Sequence, residues 1–125
     1  MSLARIALVD DEASVRVAMG RVLRLADYEV LTYESGEAFL AALAETRPDC
    51  ALLDVHLPGM TGIQVQLRLQ SGRAQLPVVF ITASEDPSVE RDALGAGGFC
   101  LLRKPFTSRD LLACIVSALQ TYPKS

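Results

Sequence analysis

The sequence predicts an α/β fold, a doubly wound parallel sheet built from five β-α units in one domain. Three observations carry this. Short unbroken apolar runs rich in Val, Ile and Leu recur along the chain as IALV, ALL, VVFI and LLR, the pattern of strands buried on both faces. Amphipathic stretches at helical spacing separate them, and right-handed crossovers place such helices on both faces of a parallel sheet. Each run also stops at a different polar position: Asp10 and Asp11, Asp54, Thr82 and Lys104. Ligands of open parallel sheets bind beyond the carboxyl ends of the strands, so three carboxylates, a hydroxyl and an ammonium are expected to meet at one edge.

In chain order, Arg5 to Val9 reads as the first strand. The first helix follows over about Ala13 to Leu25, with Val15, Ala18, Met19 and Val22 on its core side. Tyr28 to Tyr33 is the second strand, and Ser35 caps a helix through about Glu45 with Ala38, Phe39, Ala42 and Leu43 inward. Pro48 breaks the chain before a third strand, Cys50 to Leu53. After Asp54 the loop VHLPGMTG holds a strong turn signal at Pro58 and Gly59, and Gly62 opens a helix ending near Ser71. The fourth strand runs from Pro77 to Thr82. Asp86 and Pro87 form an N-cap and first-turn pair for a helix to Leu94, which Gly95, Gly97 and Gly98 stop. Phe99 to Arg103 is the fifth strand. Thr107 caps the last helix, with Leu111, Leu112, Ile115, Val116 and Leu119 inward. The expected strand order is 2-1-3-4-5, the flavodoxin-like order, whose switch point between strands one and three lies beside Asp10, Asp11 and Asp54.

A length of 125 residues fits a single domain, residues 1–125, with no room for a second. Half the residues are apolar, 22% are charged and the net charge is −3, which leaves no electrostatic footprint for nucleic acid. DNA contact would come only through an output domain, and none is expected here. No apolar run approaches the roughly 20 residues of a membrane span, and no secretory h-region opens the chain. A cytoplasmic protein is expected. Cys50, Cys100 and Cys114 are odd in number, widely spaced and set in apolar sequence, so they read as small buried hydrophobes rather than a zinc site. Met1 to Leu3 read in part as an expression remnant, and the tail after Gln120 is expected to fray.

Three carboxylates drawn within a few ångström repel one another, so some protonate or a cation sits among them. Mg²⁺ suits such a site because it prefers oxygen ligands and is often held by one or two carboxylates plus phosphate oxygens. Asp10 and Asp11 are the metal-holding candidates. Asp54 opens an exposed loop and is the nucleophile candidate, since carboxylates form aspartyl phosphates. Lys104 can reach a phosphoryl oxygen with a compact ammonium, and the only other lysine, Lys124, lies in the tail. Thr82 supplies a neutral donor. Each residue has a plainer reading: a solvated helix start for Asp-Asp-Glu, a turn-former for Asp54, an ordinary strand end for Thr82, a surface lysine for Lys104. Four such coincidences at the ends of four strands in one pattern are jointly improbable. His56, the one histidine, is a weak ligand through its ring in a carboxylate-rich site; the ring is expected at the rim, exposed, with the backbone carbonyl better placed to reach a metal.

Read together, LVDDE, LLDVHLPGMTG, VVFITA and LLRKPF resemble the motifs of bacterial response-regulator receiver domains, and they span nearly the whole chain. The resemblance implies Asp10 and Asp11 as the acidic metal pair, Asp54 as phosphoacceptor and metal ligand, Thr82 as the switch hydroxyl and Lys104 as the phosphate contact. It also implies the His56 backbone carbonyl as the third protein metal ligand and a cis peptide before Pro105. PDCALLDVHLPGMTGIQVQ is similar to the receivers of FixJ-type transcription regulators. Three residues before the lysine, where the family commonly carries Tyr or Phe, stands Leu101; Phe99 has the same strand parity but is displaced by two.

The function this implies is a Mg²⁺-dependent switch that takes a phosphoryl group from a sensor histidine kinase onto Asp54 and changes its interaction surface. A homodimer through the fourth helix, fifth strand and last helix is the implied partner state. A haloacid-dehalogenase-like phosphatase also combines an Asp nucleophile with Mg²⁺, but its second acid falls where this chain has His56. A non-phosphorylated interaction module with a vestigial site is the third reading, and the complete residue set argues against it.

Overall fold

The computed structural model describes residues 4–121; Met1 to Leu3 and the tail beyond Thr121, Lys124 included, lie outside the described residues. Strands and helices alternate as β1 (Arg5–Val9), α1 (Ala13–Leu25), β2 (Glu29–Tyr33), α2 (Gly36–Thr46), β3 (Cys50–Asp54), α3 (Gly62–Ser71), β4 (Val78–Thr82), α4 (Pro87–Gly95), β5 (Cys100–Arg103) and α5 (Ser108–Thr121). All pairings are parallel, and the order is β2-β1-β3-β4-β5. The flavodoxin-like topology expected from the sequence is the one observed.

Alternate strand residues feed two core layers. Ala7, Val9, Ala51, Leu53, Val78 and Phe80 pack with Phe39 of α2, Val65 and Leu69 of α3 and Ala93 of α4. Their neighbours Ile6, Leu8, Cys50, Leu52, Val79 and Ile81 pack with Met19 and Leu23 of α1 and with Leu111, Ile115 and Ala118 of α5. Every residue of β3 and β4 is buried, which is why those strands carry no polar alternation. Side-chain caps start the helices where expected: Ser35 Oγ accepts the Ala38 N–H, Asp86 accepts the Ser88 N–H, and Thr107 Oγ1 accepts the Asp110 N–H. The Thr61 and Gln64 capping box on α3 had no counterpart in the sequence reading.

Several boundaries move by a residue. Asp54 belongs to β3, and Pro77 stands outside β4 because it has no N–H to pair, although its carbonyl accepts the Ala51 N–H. β2 starts at Glu29 rather than Tyr28, and β5 at Cys100 rather than Phe99. Strand parity therefore does not extend to Phe99: it packs with the α1–α5 layer while Leu101 packs with the α2–α4 layer. Val116, expected inward, is exposed because Leu111, Ile115 and Ala118 already complete the buried stripe of α5. Ala18 and Ala38 are exposed for the same reason, beside buried Met19 and Phe39. α5 continues one residue past Gln120, to Thr121.

Cys50 is fully buried and Cys100 and Cys114 are half-buried; all three are free thiols. Burial pushes the Cys50 and Cys100 thiols up to about 12, which keeps them protonated and unreactive.

Candidate functional site

Register builds the site. Val9 is level with Leu53, Asp54 with Ile81 and Thr82 with Arg103, so the next residues of four adjacent segments lie together at the carboxyl edge. Backbone bonds prolong the ladder past the strand ends: Asp10 N–H to Tyr33 O at 3.1 Å, Val55 N–H to Ile81 O at 2.9 Å and Lys104 N–H to Thr82 O at 2.8 Å. The last of these fixes the root of the Lys104 side chain beside Thr82. The Lys104–Pro105 peptide is cis.

Asp10, Asp11 and Asp54 each offer a carboxylate oxygen within 4.8 Å of the others. Asp10 is 1% exposed and Asp54 8%, whereas Asp11 is open to solvent. The Asp10 Oδ1 accepts the Glu12 N–H at 2.9 Å, and the Asp54 Oδ1 accepts the His56 N–H at 2.8 Å. Both Oδ2 atoms face Lys104, whose Nζ stands 3.7 Å from each. That is ion-pair distance but beyond a hydrogen bond, and Asp10 Oδ2 is a buried oxygen with no hydrogen-bond partner. Burial raises Asp10 to about 6; the Glu12 N–H opposes that shift, the Asp54 charge reinforces it and Lys104 offsets part of it.

Thr82 is fully buried, and its Oγ1 accepts the Ser84 N–H at 3.0 Å, which leaves the hydroxyl proton to donate. The His56 ring is exposed at the rim, as expected from the sequence. Two residues shape the site that the sequence reading passed over. Gly62 stands where a Cβ would collide with the Asp54 carbonyl, and Arg16 Nη1 donates to the Asp10 carbonyl at 2.6 Å. Neither carries a local signal: Gly62 reads as a helix start and Arg16 as a surface cation one turn into α1.

These donors fit a hard divalent cation. An orphaned buried carboxylate oxygen among three acids facing a single ammonium is a surplus of negative charge that oxygen-seeking Mg²⁺ offsets.

A five-stranded 2-1-3-4-5 sheet with acids, a hydroxyl and a lysine at its carboxyl edge is the architecture of a receiver domain, and the chain belongs to the response regulator receiver domains, whose family model matches residues 6–116. Phosphorylation and binding of Mg²⁺ in an acidic pocket are general properties of that family. Among curated relatives, the transcriptional regulatory protein TdiR of Thauera aromatica is 36% identical over 112 residues, 90% of this chain and 49% of the relative. The DNA-binding transcriptional regulator NtrC of Salmonella typhimurium is 35% identical over 115 residues, 92% of this chain and 24% of its own length. The chain thus spans half or less of these relatives. Among solved structures, FixJ-N superposes with a TM-score of 0.92 at 26% identity over the full length of both chains. No helix among the described residues is long and apolar enough to cross a membrane.

Proposed function

We propose that this chain is the phosphorylation switch of a two-component pathway, with Asp54 as the phosphoacceptor. The observation that carries the reading is the placement of Lys104 Nζ 3.7 Å from both Asp10 Oδ2 and Asp54 Oδ2 at the rim of a three-carboxylate cluster. Asp10, Asp11 and Asp54, with the His56 backbone carbonyl, would hold Mg²⁺, which when bound neutralises charge on the entering phosphoryl group.

The chain's own residues do the rest. The Asp54 carboxylate attacks phosphorus, the bond to the donor's leaving group breaks, and an acyl phosphate remains on Asp54. The His56 N–H orients the carboxylate through Oδ1. Lys104 shifts from the two carboxylates to a phosphoryl oxygen, and the Thr82 hydroxyl donates to another. Both residues connect to the α4-β5-α5 face, so that face is where the switch is read out and where a phosphorylation-dependent homodimer would form. On this reading the donor is a sensor histidine kinase and the module works in the cytoplasm as a switch rather than a metabolic enzyme. Any contact with DNA would come only through an output domain or partner. The stretch PDCALLDVHLPGMTGIQVQ and the similarity to FixJ-N support a FixJ-type subgroup.

Incubation with acetyl phosphate and Mg²⁺, followed by intact and tandem mass spectrometry, tests this. One added phosphoryl group is expected, on Asp54, and none on Asp54→Asn. No addition to the parent protein, or equal labelling of the variant, would overturn the assignment.

A further inference from the structure

We propose that Arg16 is a positioning residue for the metal site: its guanidinium fixes the Asp10–Asp11 peptide and, through it, the Asp11 carboxylate. The inference rests on the reading that Asp10, Asp11 and Asp54 hold Mg²⁺.

Three observations lead there. First, the site's acids differ in how they are held. Asp10 and Asp54 are each buried and each accept a backbone N–H from the residue two ahead, at 2.9 and 2.8 Å. Asp11 has neither support. It is exposed, and among the described residues its carboxylate has no hydrogen-bond or ion-pair partner, yet its oxygen lies within 4.8 Å of the other two. Where its root sits therefore depends on the backbone it hangs from.

Second, that backbone lies just past the end of the sheet. Asp10 N–H still bonds Tyr33 O, the last residue of β2. In a parallel strand the N–H and C=O of one residue point to the same neighbour, so the Asp10 carbonyl faces the side on which β2 has run out. Arg16 Nη1 replaces the missing ladder donor at 2.6 Å. Arg16 thus holds the carbonyl of the Asp10–Asp11 peptide that carries Asp11, while Tyr33 holds the preceding Val9–Asp10 peptide through the Asp10 N–H.

Third, Arg16 has no competing anchor. No ion pair to an acid is found for it among the described residues, and its own N–H bonds Glu12 O in the first turn of α1. The Arg16 guanidinium takes a carbonyl instead of a carboxylate, so it does not compete with a cation for the acid oxygens. Groups that orient ligands in this way are typically worth about 10- to 100-fold in metal affinity.

Titration calorimetry with Mg²⁺ on the full chain tests the proposal, with thermal melts in EDTA as the folding control. Arg16→Met is expected to weaken Mg²⁺ about tenfold and Arg16→Lys, which keeps a donor and the charge, about threefold or less. In an Asp11→Ala background, Arg16→Met is expected to produce no further loss, because the residue it positions is gone. Unchanged affinity in Arg16→Met, or the same tenfold loss with and without Asp11, would overturn the inference. If Arg16→Met does not fold, Arg16→Gln takes its place with the same expected loss, its shorter amide being unable to span to Asp10. Absence of Mg²⁺ binding by the parent protein would overturn both this inference and the metal reading beneath it; binding that ignores Arg16 would overturn the inference alone.

Discussion

His56 divides its work between backbone and ring. Its N–H holds Asp54 Oδ1 at 2.8 Å while the imidazole stands exposed at the rim, so a substitution there removes only the ring. His56→Ala is expected to leave Mg²⁺ binding and labelling of Asp54 largely intact and to change the lifetime of the acyl phosphate, followed by the decay of the added mass. Loss of Mg²⁺ binding in that variant would make the imidazole a ligand. Asp10 gives a pH signature. Burial raises it from 3.8 to about 6, so between those values the folded state binds a proton that the unfolded chain does not, and stability falls as pH rises through that window. Metal-free protein should therefore gain on the order of 2 kcal/mol as pH drops from 7 toward 4.5, before other carboxylates titrate. Asp10→Asn, which keeps the acceptor for Glu12, is expected to abolish that gain and to be more stable than the parent at pH 7.5 in EDTA. Urea melts at a series of pH values measure both; a parent curve that is flat between pH 7 and 5 would contradict the buried-charge account.

At the scale of elements, β5 communicates with α4 through polar contacts. Arg103 Nε donates to Ser84 O at 3.3 Å and its Nη1 pairs with Glu90 of α4 at 2.9 Å, while Ser84 N–H sits on Thr82 Oγ1. Thr82, Ser84, Arg103 and Glu90 thus form one chain from the buried hydroxyl to the outer helix, in a strand that has Leu101 where the family commonly has an aromatic. The pair is exposed enough to add only about 0.5 kcal/mol to stability. Arg103→Met should therefore leave the melting curve nearly unchanged and raise amide hydrogen exchange over residues 84–90. Unaltered exchange there would disconnect β5 from α4. The existence and order of the elements were legible because β3 and β4 are apolar up to their last residues, Asp54 and Thr82, and three of the helix caps are Ser, Asp and Thr. Their edges were not, since whether Tyr28, Pro77 or Phe99 joins a ladder depends on a partner strand that local sequence does not contain.

For the molecule as a whole, activation is expected to act on the α4-β5-α5 face, where Leu94 and Val116 are 42% and 44% exposed. Sedimentation of the beryllofluoride-activated protein should show a weak shift from monomer to dimer. A monomer that persists at high concentration would remove dimerisation from the switch. On the proposed metal reading, the three carboxylates at the opposite end of the strands from the buried thiol of Cys50 also couple metal to folding. A cation bound by the native state alone stabilises it by mass action, roughly 2.7 kcal/mol at a hundredfold excess over the dissociation constant. Mg²⁺ should thus raise the melting temperature, and less so as pH falls through 6, because Asp10 must lose its proton to serve.

The sequence by itself determined the fold class, the strand order and the convergence of Asp10, Asp11, Asp54, Thr82 and Lys104, because strand polarity and hydrophobic period are local properties and the carboxyl ends of parallel strands must share an edge. Only the tertiary structure decided how those residues face one another. That Lys104 stands between two carboxylates, that Asp10 Oδ2 lacks a partner, that Arg16 covers a carbonyl beyond the end of β2 and that Phe99 and Leu101 part to opposite layers all depend on register and burial between segments far apart in the chain. Such contacts are set by the packing of the whole sheet against its helices, and no window of neighbouring residues encodes them.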